Sequence, residues 1–464
     1  HPDFIADEND WAWQSGTLYY KVGVGEDPNV ENIDVGTQQT VAELTNAQRT
    51  VFRNHEWRGF WRYGVIMIGN CTDSAFYNMK AHDAMGHAMY VNDRDTDNLI
   101  VDGFEMEDLS GGGIFGNRSS DCVFQNITMR RIGLTKGDGW GLYTDDGRSP
   151  NLFYCGISFG FSEAKDNQIL YCYAEEIGGS PYRYDGERHV VAYNYAADGM
   201  MIFDDGGMYY CYGAGSADLT KNLHVHHNIA IRCHGDGTGT PNGTGKELSI
   251  NYYLDSGSTF SIYEYNFSDG DNVTRQGFLN NLRNNDNIFR NNISIGCYEA
   301  EFVADTPTFP PNPKATTSID HTNNQYICSR GEVTVRYVDR SGGHSQFEWE
   351  HWLGTNDNNI HVALYQNGTG TERPIRGEYN YYSAQEYFTL AEFEARFPGQ
   401  ELNSSYVNNR FGSYDPAHYI IHTNWSPVPV NQPVVGSYEF PDGTPAGGTV
   451  EVPPYGGVFL LQTV

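Results

Sequence analysis

The chain has 464 residues, including 52 glycines and 33 tyrosines but only 29 lysines and arginines, so its formal net charge at pH 7 is −30. Such a charge repels phosphate backbones and anionic lipid surfaces, which argues against nucleic acid as a partner. No run of 18 apolar residues occurs, so the sequence predicts no membrane span. Short apolar runs separated by Asn, Asp and Gly favour strands and turns over helices.

Residues 1–50 are the first of three predicted regions. They include the segment WAWQSGTLYYKVGVGEDPN, which is typical of a hairpin that precedes the main repeat. The chain starts at His1 without a signal peptide. We therefore expect that a leader was removed or that a preceding region is absent, and we expect an extracellular location for so acidic a chain.

Residues 51–380 carry a repeat in which alternating apolar residues are followed by Asn or a small residue. Its copies start 17 to 38 residues apart and lie at residues 74–79, 98–104, 122–128, 151–157, 168–174, 190–196, 223–230, 261–267 and 287–294. One unit cannot bury its apolar face alone, whereas stacked units can, each adding about 4.8 Å along an axis. The recurrent Asn suits a turn with left-handed backbone. The sequence therefore predicts an all-β fold, a right-handed parallel β-helix.

Residues 381–464 are predicted to form a C-terminal region with one short helix and a small β extension. The segment AQEYFTLAEFEARF (384–397) is the best helical candidate, with Ser383 as its N-cap. The Pro-rich tail that follows is expected either to seal the end of the coils or to pack beside them, because open strand edges invite aggregation.

The eight cysteines include no C-x-x-C pair, which disfavours a zinc site. Two interpretations stay open for them: disulfide bonds, or small apolar residues stacked inside the fold. Ten N-x-S/T sequons permit glycosylation without indicating it, because an Asn-rich repeat produces such sequences by chance. They start at Asn70, Asn117, Asn126, Asn242, Asn266, Asn272, Asn292, Asn367, Asn403 and Asn424.

A second series of segments places Asp and Gly after aromatic residues: LYTDDG (142–147), YRYDG (182–186), IFDDGG (202–207) and YYLDSG (252–257). Because equivalent positions stack in a coil, we expect one acidic column that contains Asp145 or Asp146, Asp185, Asp204 or Asp205, and Asp255. Stacked like charges raise each other's pKa, so such a column suits acid–base chemistry or a bound cation, with Ca²⁺ as the candidate ion. The alternative is that Asp-Gly serves only as turn chemistry.

Aromatic and histidine side chains near these segments are candidates for contacts with sugar rings. The predicted substrate-binding residues are Asp145, Asp185, Glu187, His189, Asp204, Tyr209, His227 and Tyr253. The tyrosines also fit a purely structural ladder, and the histidines of the segment HVHHN fit packed or solvated positions.

The order of DDGGMYYCYG (204–213), LHVHHNIA (223–230) and NYYLDSGS (251–258) resembles the β-helix glycosidases of glycoside hydrolase family 141. The opening segment 8–29 is similar to the region that precedes the coils in that family, and the resemblance covers roughly residues 8–300 with a further stretch at 390–411. It implies a fucosidase or xylanase type of activity, and it places the catalytic pair on Asp205 and Asp255.

Two features depart from the family's pattern. The second segment reads Leu-Asp-Ser instead of Leu-Asp-Asp, and the family's N-terminal cap region is missing. The missing cap would leave a coil end uncovered, so we expect a partner chain or a removed segment to cover it.

A carboxyl pair fits glycoside hydrolysis of a carbohydrate polymer. One carboxylic acid, whose pKa is raised by its environment, protonates the glycosidic oxygen, and the other carboxylate attacks carbon 1 or activates water. Carboxyl groups about 5 Å apart imply retention of configuration, and a separation of about 6.5 to 9.5 Å implies inversion. The sequence does not tell which aspartate is the acid.

Two other functions remain open on the same fold. A polysaccharide lyase needs a Lys, Arg or His base, for which Lys221, Lys246 and Arg148 are candidates, and the scarcity of Lys in the acidic column disfavours it. A non-catalytic adhesin or filament subunit is the second alternative, since end-to-end contacts between coils build fibres.

Overall fold

The structure of the chain is a computed structural model. It describes residues 11–14, 17–20, 39–91, 96–116, 118–134, 154–160, 163–213, 220–236, 248–281, 284–305, 319–328, 334–339, 353–363, 373–379, 384–407 and 418–463. The chain divides into two compact units after Thr37. In the first unit, strands β1 (Trp11–Gln14) and β2 (Thr17–Tyr20) pair as an antiparallel hairpin.

The second unit consists of coils in which each turn of the chain adds one strand to a long sheet, called here the front sheet. Its thirteen strands are β3 (Thr40–Thr45), β6 (Tyr63–Ile68), β8 (His87–Val91), β10 (Ile114–Gly116), β13 (Ile157–Phe159), β16 (Tyr182–Tyr184), β19 (Gly206–Tyr212), β23 (Ser249–Asp255), β27 (Gln276–Asn281), β30 (Glu299–Asp305), β33 (Val335–Asp339), β36 (Ile375–Tyr379) and β37 (Ala384–Phe388). All neighbours in this order are parallel except β36 and β37.

Between two front strands the chain forms further strands, called here the back strands, that also pair in parallel from coil to coil. They are β4 (Val51–Arg53), β5 (Glu56–Arg58), β7 (Ala75–Ala84), β9 (Ile100–Leu109), β11 (Val123–Gln125), β12 (Thr128–Ile132), β14 (Gln168–Leu170), β15 (Tyr173–Ile177), β17 (Val190–Ala192), β18 (Tyr195–Gly199), β21 (His224–His226), β22 (Ile229–Cys233), β25 (Ile262–Glu264), β26 (Phe267–Asp269), β28 (Ile288–Arg290), β29 (Ile293–Cys297), β31 (Ile319–Thr322), β32 (Gln325–Cys328), β34 (Leu353–Asp357), β35 (Ile360–Ala363) and β38 (Ser405–Val407). A short pair, β20 (Thr220–Lys221) and β24 (Ser258–Thr259), bridges two coils. The prediction of a right-handed parallel β-helix is confirmed, and its parallel strands begin at Thr40.

Apolar and aromatic side chains fill the interior of the coils because each coil places its inward residues over those of the next coil. One stack runs through the front sheet, where Tyr182, Tyr209, Tyr252 and Phe278 follow each other at centroid distances of 5.1, 4.8 and 4.8 Å. All eight cysteines are buried and none forms a disulfide bond. The interpretation of the cysteines as small buried residues therefore describes this structure.

A column of buried asparagines closes the turn between the two back strands of successive coils. The side chain of Asn228 accepts a hydrogen bond from the backbone N–H of Asn194 at 3.0 Å and donates one to the carbonyl of Val191 at 2.8 Å. Asn266 and Asn292 continue the column in the same way. These amides satisfy turn backbone groups that water cannot reach. Because Asn266 and Asn292 are at most 1% exposed, their sequons are inaccessible in the folded chain.

The predicted helix over 384–397 is wrong in its first half. Ala384–Phe388 forms strand β37, which pairs antiparallel with β36 at the end of the front sheet. Helix α1 covers Leu390–Arg396, and Thr389 caps it by accepting a hydrogen bond from the backbone N–H of Glu392, whose side chain accepts from the backbone N–H of Thr389. This capping box fixes the start of the helix inside the expected segment. Phe393 belongs to the main core.

The tail forms strands β39 (Tyr419–Asn424), β40 (Val430–Pro433), β41 (Tyr438–Glu439), β42 (Thr449–Val452) and β43 (Gly456–Gln462), in two small antiparallel sheets. Phe459 and Leu461 pack on the outward side chains of back strands, among them Ile229, Ile295 and Ile327. The tail therefore packs beside the coils, where it covers apolar residues that the coils alone would expose to solvent.

Replacing Asn228 by Ala is expected to lower the free energy of unfolding by about 3 kcal/mol, because the backbone N–H of Asn194 and the carbonyl of Val191 both lose a buried partner. Asn323→Gly is the matched control, since Asn323 is an exposed turn residue at φ 56° that glycine tolerates. Urea unfolding of both variants measures the difference. Equal losses in the two variants would contradict a structural role for the buried column.

Candidate active site

The outer face of the front sheet carries a polar cluster on strands β16, β19, β23 and β27. Side chains alternate along each strand, so Tyr252 and Leu254 point inward while Tyr253 and Asp255 point outward. The parallel register places Tyr210 beside Tyr253, and Asp255 beside Asn281. Residues far apart in sequence thus meet on one face.

Asp255 is the centre of this cluster and is 8% exposed. Its Oδ1 accepts hydrogen bonds from Asn281 Nδ2 at 2.8 Å and from Ser256 Oγ at 2.9 Å. Its Oδ2 accepts one from the hydroxyl of Tyr210 at 3.0 Å. Burial raises the pKa of Asp255 and outweighs these donors, which act in the opposite direction. The carboxyl group of Asp255 therefore keeps its proton to a higher pH than an ordinary aspartate does.

Asp205 reaches the same cluster from the turn that precedes β19. Its Oδ1 lies 3.5 Å from the hydroxyl of Tyr253, which in turn accepts a hydrogen bond from Asn281 Nδ2 at 3.1 Å. The carboxylates of Asp205 and Asp255 are therefore joined through Tyr253 and Asn281 and lie no further apart than three consecutive contacts allow. Asp205 is exposed, in contrast to Asp255.

The Asp-Asp-Gly-Gly segment explains how Asp205 takes this position. Asp205 has a left-handed backbone with φ 56°, which Asp adopts more readily than most residues. A Cβ atom at Gly207 would lie 2.9 Å from the Cβ of Tyr253, so glycine allows the neighbouring strand to bring Tyr253 close. Asp204 is 1% exposed and belongs to the turn itself.

A buried ion pair supports the cluster from β16. Nε and Nη2 of Arg183 donate to Oδ2 of Asp185 at 3.0 and 2.8 Å, and Oδ1 of Asp185 accepts from the backbone N–H of Tyr212 at 2.8 Å. The guanidinium also lies over the ring of Tyr210, 4.9 Å from its centroid. Asp185 thus orients Arg183, and Arg183 fixes the tyrosine that donates to Asp255.

The remaining predicted substrate residues lie elsewhere. Tyr209 is inside the coils, where its hydroxyl donates to the carbonyls of Asn194 and Ile229, so it cannot contact a ligand on the outer face. His189 fills a buried turn, where its Nδ1 accepts from the backbone N–H of Asn167, and burial lowers its pKa to about 4.

Glu187 and His227 lie on turns away from the cluster. Glu187 forms ion pairs with Lys165 and Arg188 at a turn between a front strand and a back strand. His227 stands between two back strands, on another side of the coil. Asp145 and Asp146, and with them Arg148 and Lys246, lie outside the described residues.

Four residues of the cluster were not among the predicted catalytic or substrate-binding residues: Arg183, Tyr210, Ser256 and Asn281. Tyr210 could have been found by parity, because it is two residues from Tyr212 and shares the face of Asp255 through the pairing of β19 with β23. Arg183 shares the face of Asp185 by the same parity, whereas Asn281 carries no such signal, because the loops between coils vary in length.

Within the described ranges, no group of three or more His, Cys, Asp and Glu side chains is arranged to hold a metal ion. A calcium site in the acidic column stays a prediction. Over the same residues, no helix is long and apolar enough to cross a membrane.

Comparison with known proteins gives structural similarity at low sequence identity. No family model and no curated protein matches the chain. An alginate lyase from Paenibacillus sp. str. FPU-7 is 11% identical with a TM-score of 0.32, over 68% of this chain and 98% of the lyase. A double mutant of the tailspike protein of E. coli bacteriophage HK620, in complex with a pentasaccharide, is 8% identical with a TM-score of 0.46, over 92% and 83%. A PL6 alginate lyase in complex with a trisaccharide is 10% identical with a TM-score of 0.26, over 83% and 92%.

At sequence identities of 8 to 11% and TM-scores of 0.26 to 0.46, this similarity is no basis for assigning a reaction to the chain. The chain's own strand pairing defines its class, a right-handed parallel β-helix. The resemblance to glycoside hydrolase family 141 stays a prediction.

Replacing Asp255 by Asn is expected to make the stability less dependent on pH. Folding raises the pKa of Asp255, so the folded wild type binds a proton more tightly than the unfolded chain does. The stability of the wild type therefore falls as the pH rises from the pKa of the unfolded carboxyl group to that of the folded one. The neutral amide removes that loss. Urea unfolding at pH 4.5 and pH 7 should therefore show Asp255→Asn gaining stability relative to wild type at the higher pH.

Asp205→Asn serves as the control, since Asp205 is exposed and its replacement leaves the burial of Asp255 in place. If Asp255→Asn instead lost stability relative to wild type between pH 4.5 and pH 7, the result would show that the folded protein stabilises Asp255 as a carboxylate.

Proposed function

We propose that this protein is a carbohydrate-active enzyme that hydrolyses glycosidic bonds with Asp205 and Asp255. The observation that carries the proposal is the pairing of a buried carboxyl group of raised pKa with an exposed carboxylate through Tyr253 and Asn281. Two carboxyl groups in contrasting environments are what glycoside hydrolysis requires. The proposal includes an extracellular location, where polysaccharides are found.

Asp255 is the general acid in this proposal. Burial raises the pKa of Asp255 and so favours the protonated form that a general acid needs. Proton transfer to the glycosidic oxygen leaves Asp255 as a carboxylate, and the hydrogen bonds donated by Tyr210, Ser256 and Asn281 then stabilise that charge. The same three donors thus stabilise the carboxylate that remains after Asp255 has given up its proton.

Asp205 takes the role of nucleophile or general base. As a nucleophile it forms a bond to carbon 1 while the bond from carbon 1 to the leaving oxygen breaks, and water later hydrolyses the glycosyl ester. As a base it removes a proton from a water that attacks carbon 1 directly. The hydroxyl of Tyr253, at 3.5 Å from Oδ1, orients the carboxylate in either case.

A polysaccharide lyase is the second candidate, and one observation favours it. A tyrosine hydroxyl and an asparagine amide, Tyr253 and Asn281, lie in direct contact on the outer face and could act on the proton next to a uronate carboxyl group. Against it stand Asp205 and Asp255, which repel an anionic sugar. Unsaturated products that absorb in the ultraviolet would identify elimination.

Replacing either Asp205 or Asp255 by Asn is expected to lower the rate of hydrolysis by about 100-fold or more, because each variant loses one of the two proton-transfer or nucleophilic groups. Xylan and fucosylated polysaccharides are the substrates to test, and the release of reducing ends is the measurement. Wild-type activity is expected to fall at high pH, as Asp255 loses its proton.

Asp121→Asn is the matched control for Asp205→Asn, because Asp121 is also an exposed aspartate at φ 56° but lies on a different turn. It should hydrolyse as fast as wild type. Unchanged rates in Asp205→Asn and Asp255→Asn, or unsaturated products in place of reducing ends, would refute the assignment.

A further inference from the structure

One turn of the coil, between the two back strands, holds a residue of left-handed backbone in coil after coil. In six of the described coils this residue is asparagine, as the left-handed region favours, with φ between 51° and 57°: Asn54, Asn78, Asn126, Asn291, Asn323 and Asn358. In one more it is Gly103. In the four consecutive coils between Asn126 and Asn291 the residue is aromatic instead: Tyr171, Tyr193, His227 and Tyr265, with φ between 52° and 60°. We call these four residues the aromatic ladder.

The backbone does not select tyrosine at this turn. A left-handed conformation costs an ordinary residue about 1 to 2 kcal/mol, whereas asparagine and glycine adopt it readily. The hydrogen bond of the turn is the same in both sets, since the N–H of Tyr265 donates to the carbonyl of Arg290 as the N–H of Asn291 donates to that of Thr322. The fold would therefore accept asparagine at this position in the four aromatic coils as well.

The rings of the ladder follow each other along the axis of the coils, with the outer two pairs stacked and the middle pair tilted by 35°. Tyr171 and Tyr193 are 5.1 Å apart, Tyr193 and His227 5.3 Å, and His227 and Tyr265 5.0 Å. Stacking returns part of the backbone cost, because aromatic pairs contribute about 0.5 to 1.5 kcal/mol each. Even so, the two end rings stay open to solvent, with Tyr171 37% and Tyr265 49% exposed.

Docking of the tail explains half of the ladder. Tyr455 of the tail contacts Tyr171 at 5.6 Å and Tyr193 at 5.0 Å. His227 and Tyr265 continue the stack beyond that contact, by one coil and by two. Contact with Tyr455 therefore accounts for Tyr171 and Tyr193 but not for His227 and Tyr265.

We propose that the aromatic ladder is a binding surface for a neutral polysaccharide that lies parallel to the helix axis. The rings repeat every 5.0 to 5.3 Å, which is close to the length of one pyranose unit in an extended chain. Successive sugar rings would contact the edges of successive aromatic rings, and the open face of Tyr265 would stack on one sugar.

Charge favours a neutral ligand over an acidic one. Burial lowers the pKa of His227, so the imidazole is uncharged at neutral pH. The chain as a whole carries a formal charge of −30, which repels an anionic polymer. This surface stands on turns between back strands, apart from Asp205 and Asp255 on the front sheet, and the inference does not rest on the proposed hydrolysis.

The test is the double variant His227→Asn, Tyr265→Asn, in which the ladder receives the residue that the neighbouring coils already use. Native gel electrophoresis through hydroxyethyl cellulose, neutral xylan and galactomannan measures binding, and alginate is the acidic comparison. All proteins carry Asp205→Asn so that cleavage does not alter the polymers. We expect the double variant to bind about tenfold more weakly than its parent to the neutral polymer that retards the parent.

Phe260→Asn is the matched control. Phe260 is also an exposed aromatic residue with a left-handed backbone, 50% exposed at φ 53°, but it lies on the turn that precedes β25, outside the ladder. Its replacement should therefore leave the retardation unchanged. The unfolding free energy of the double variant should equal or exceed that of its parent, which excludes misfolding as the cause. Equal retardation of parent and double variant, no retardation of the parent by any of the three neutral polymers, or retardation by alginate alone would overturn the proposal.

Discussion

The buried hydrogen bonds between successive coils are the constraint on which the rest of this structure depends. A parallel β-helix must satisfy the backbone of each turn inside the fold, and the column that includes Asn194, Asn228 and Asn266 does so with side-chain amides. Because each amide bonds to the coil on either side, the column holds equivalent residues in register. This register brings residues that are far apart in the sequence into contact.

The candidate active site is a consequence of this register. Asp255 obtains its environment from three coils: Tyr210 from the preceding one, Ser256 from its own, and Asn281 from the following one. Asp205 enters from a turn and stays exposed. Two aspartates with similar local sequences, each after aromatic residues, thereby differ in burial, and burial raises the pKa of Asp255. The aromatic ladder uses the same register on another side of the coil, with hydrophobic contact in place of charge.

The fold could be predicted from the sequence, because each coil of a β-helix repeats an Asn-containing turn and the repeat is visible in the chain. It also selected Asp205 and Asp255, which the structure brings into one cluster, although the selection of their roles stays a prediction. It failed on Tyr209, because MYYCY offers two tyrosines of opposite parity and only the pairing with β23 shows that Tyr209 points inward and Tyr210 outward. It failed on the start of α1, because aromatic residues before Thr389 fit the edge of the front sheet better than a helix.

The titration of the Asp255 carboxyl group tests the central claim most directly. Carbon-13 NMR of protein labelled at aspartate carboxyl carbons, with Asp255→Asn to identify the signal, follows its protonation without any substrate. The account predicts a midpoint above the value of about 3.9 for an unperturbed aspartate, because burial outweighs the hydrogen bonds from Tyr210, Ser256 and Asn281. A midpoint at or below that value would show that the donors prevail, and Asp255 could not then serve as the general acid.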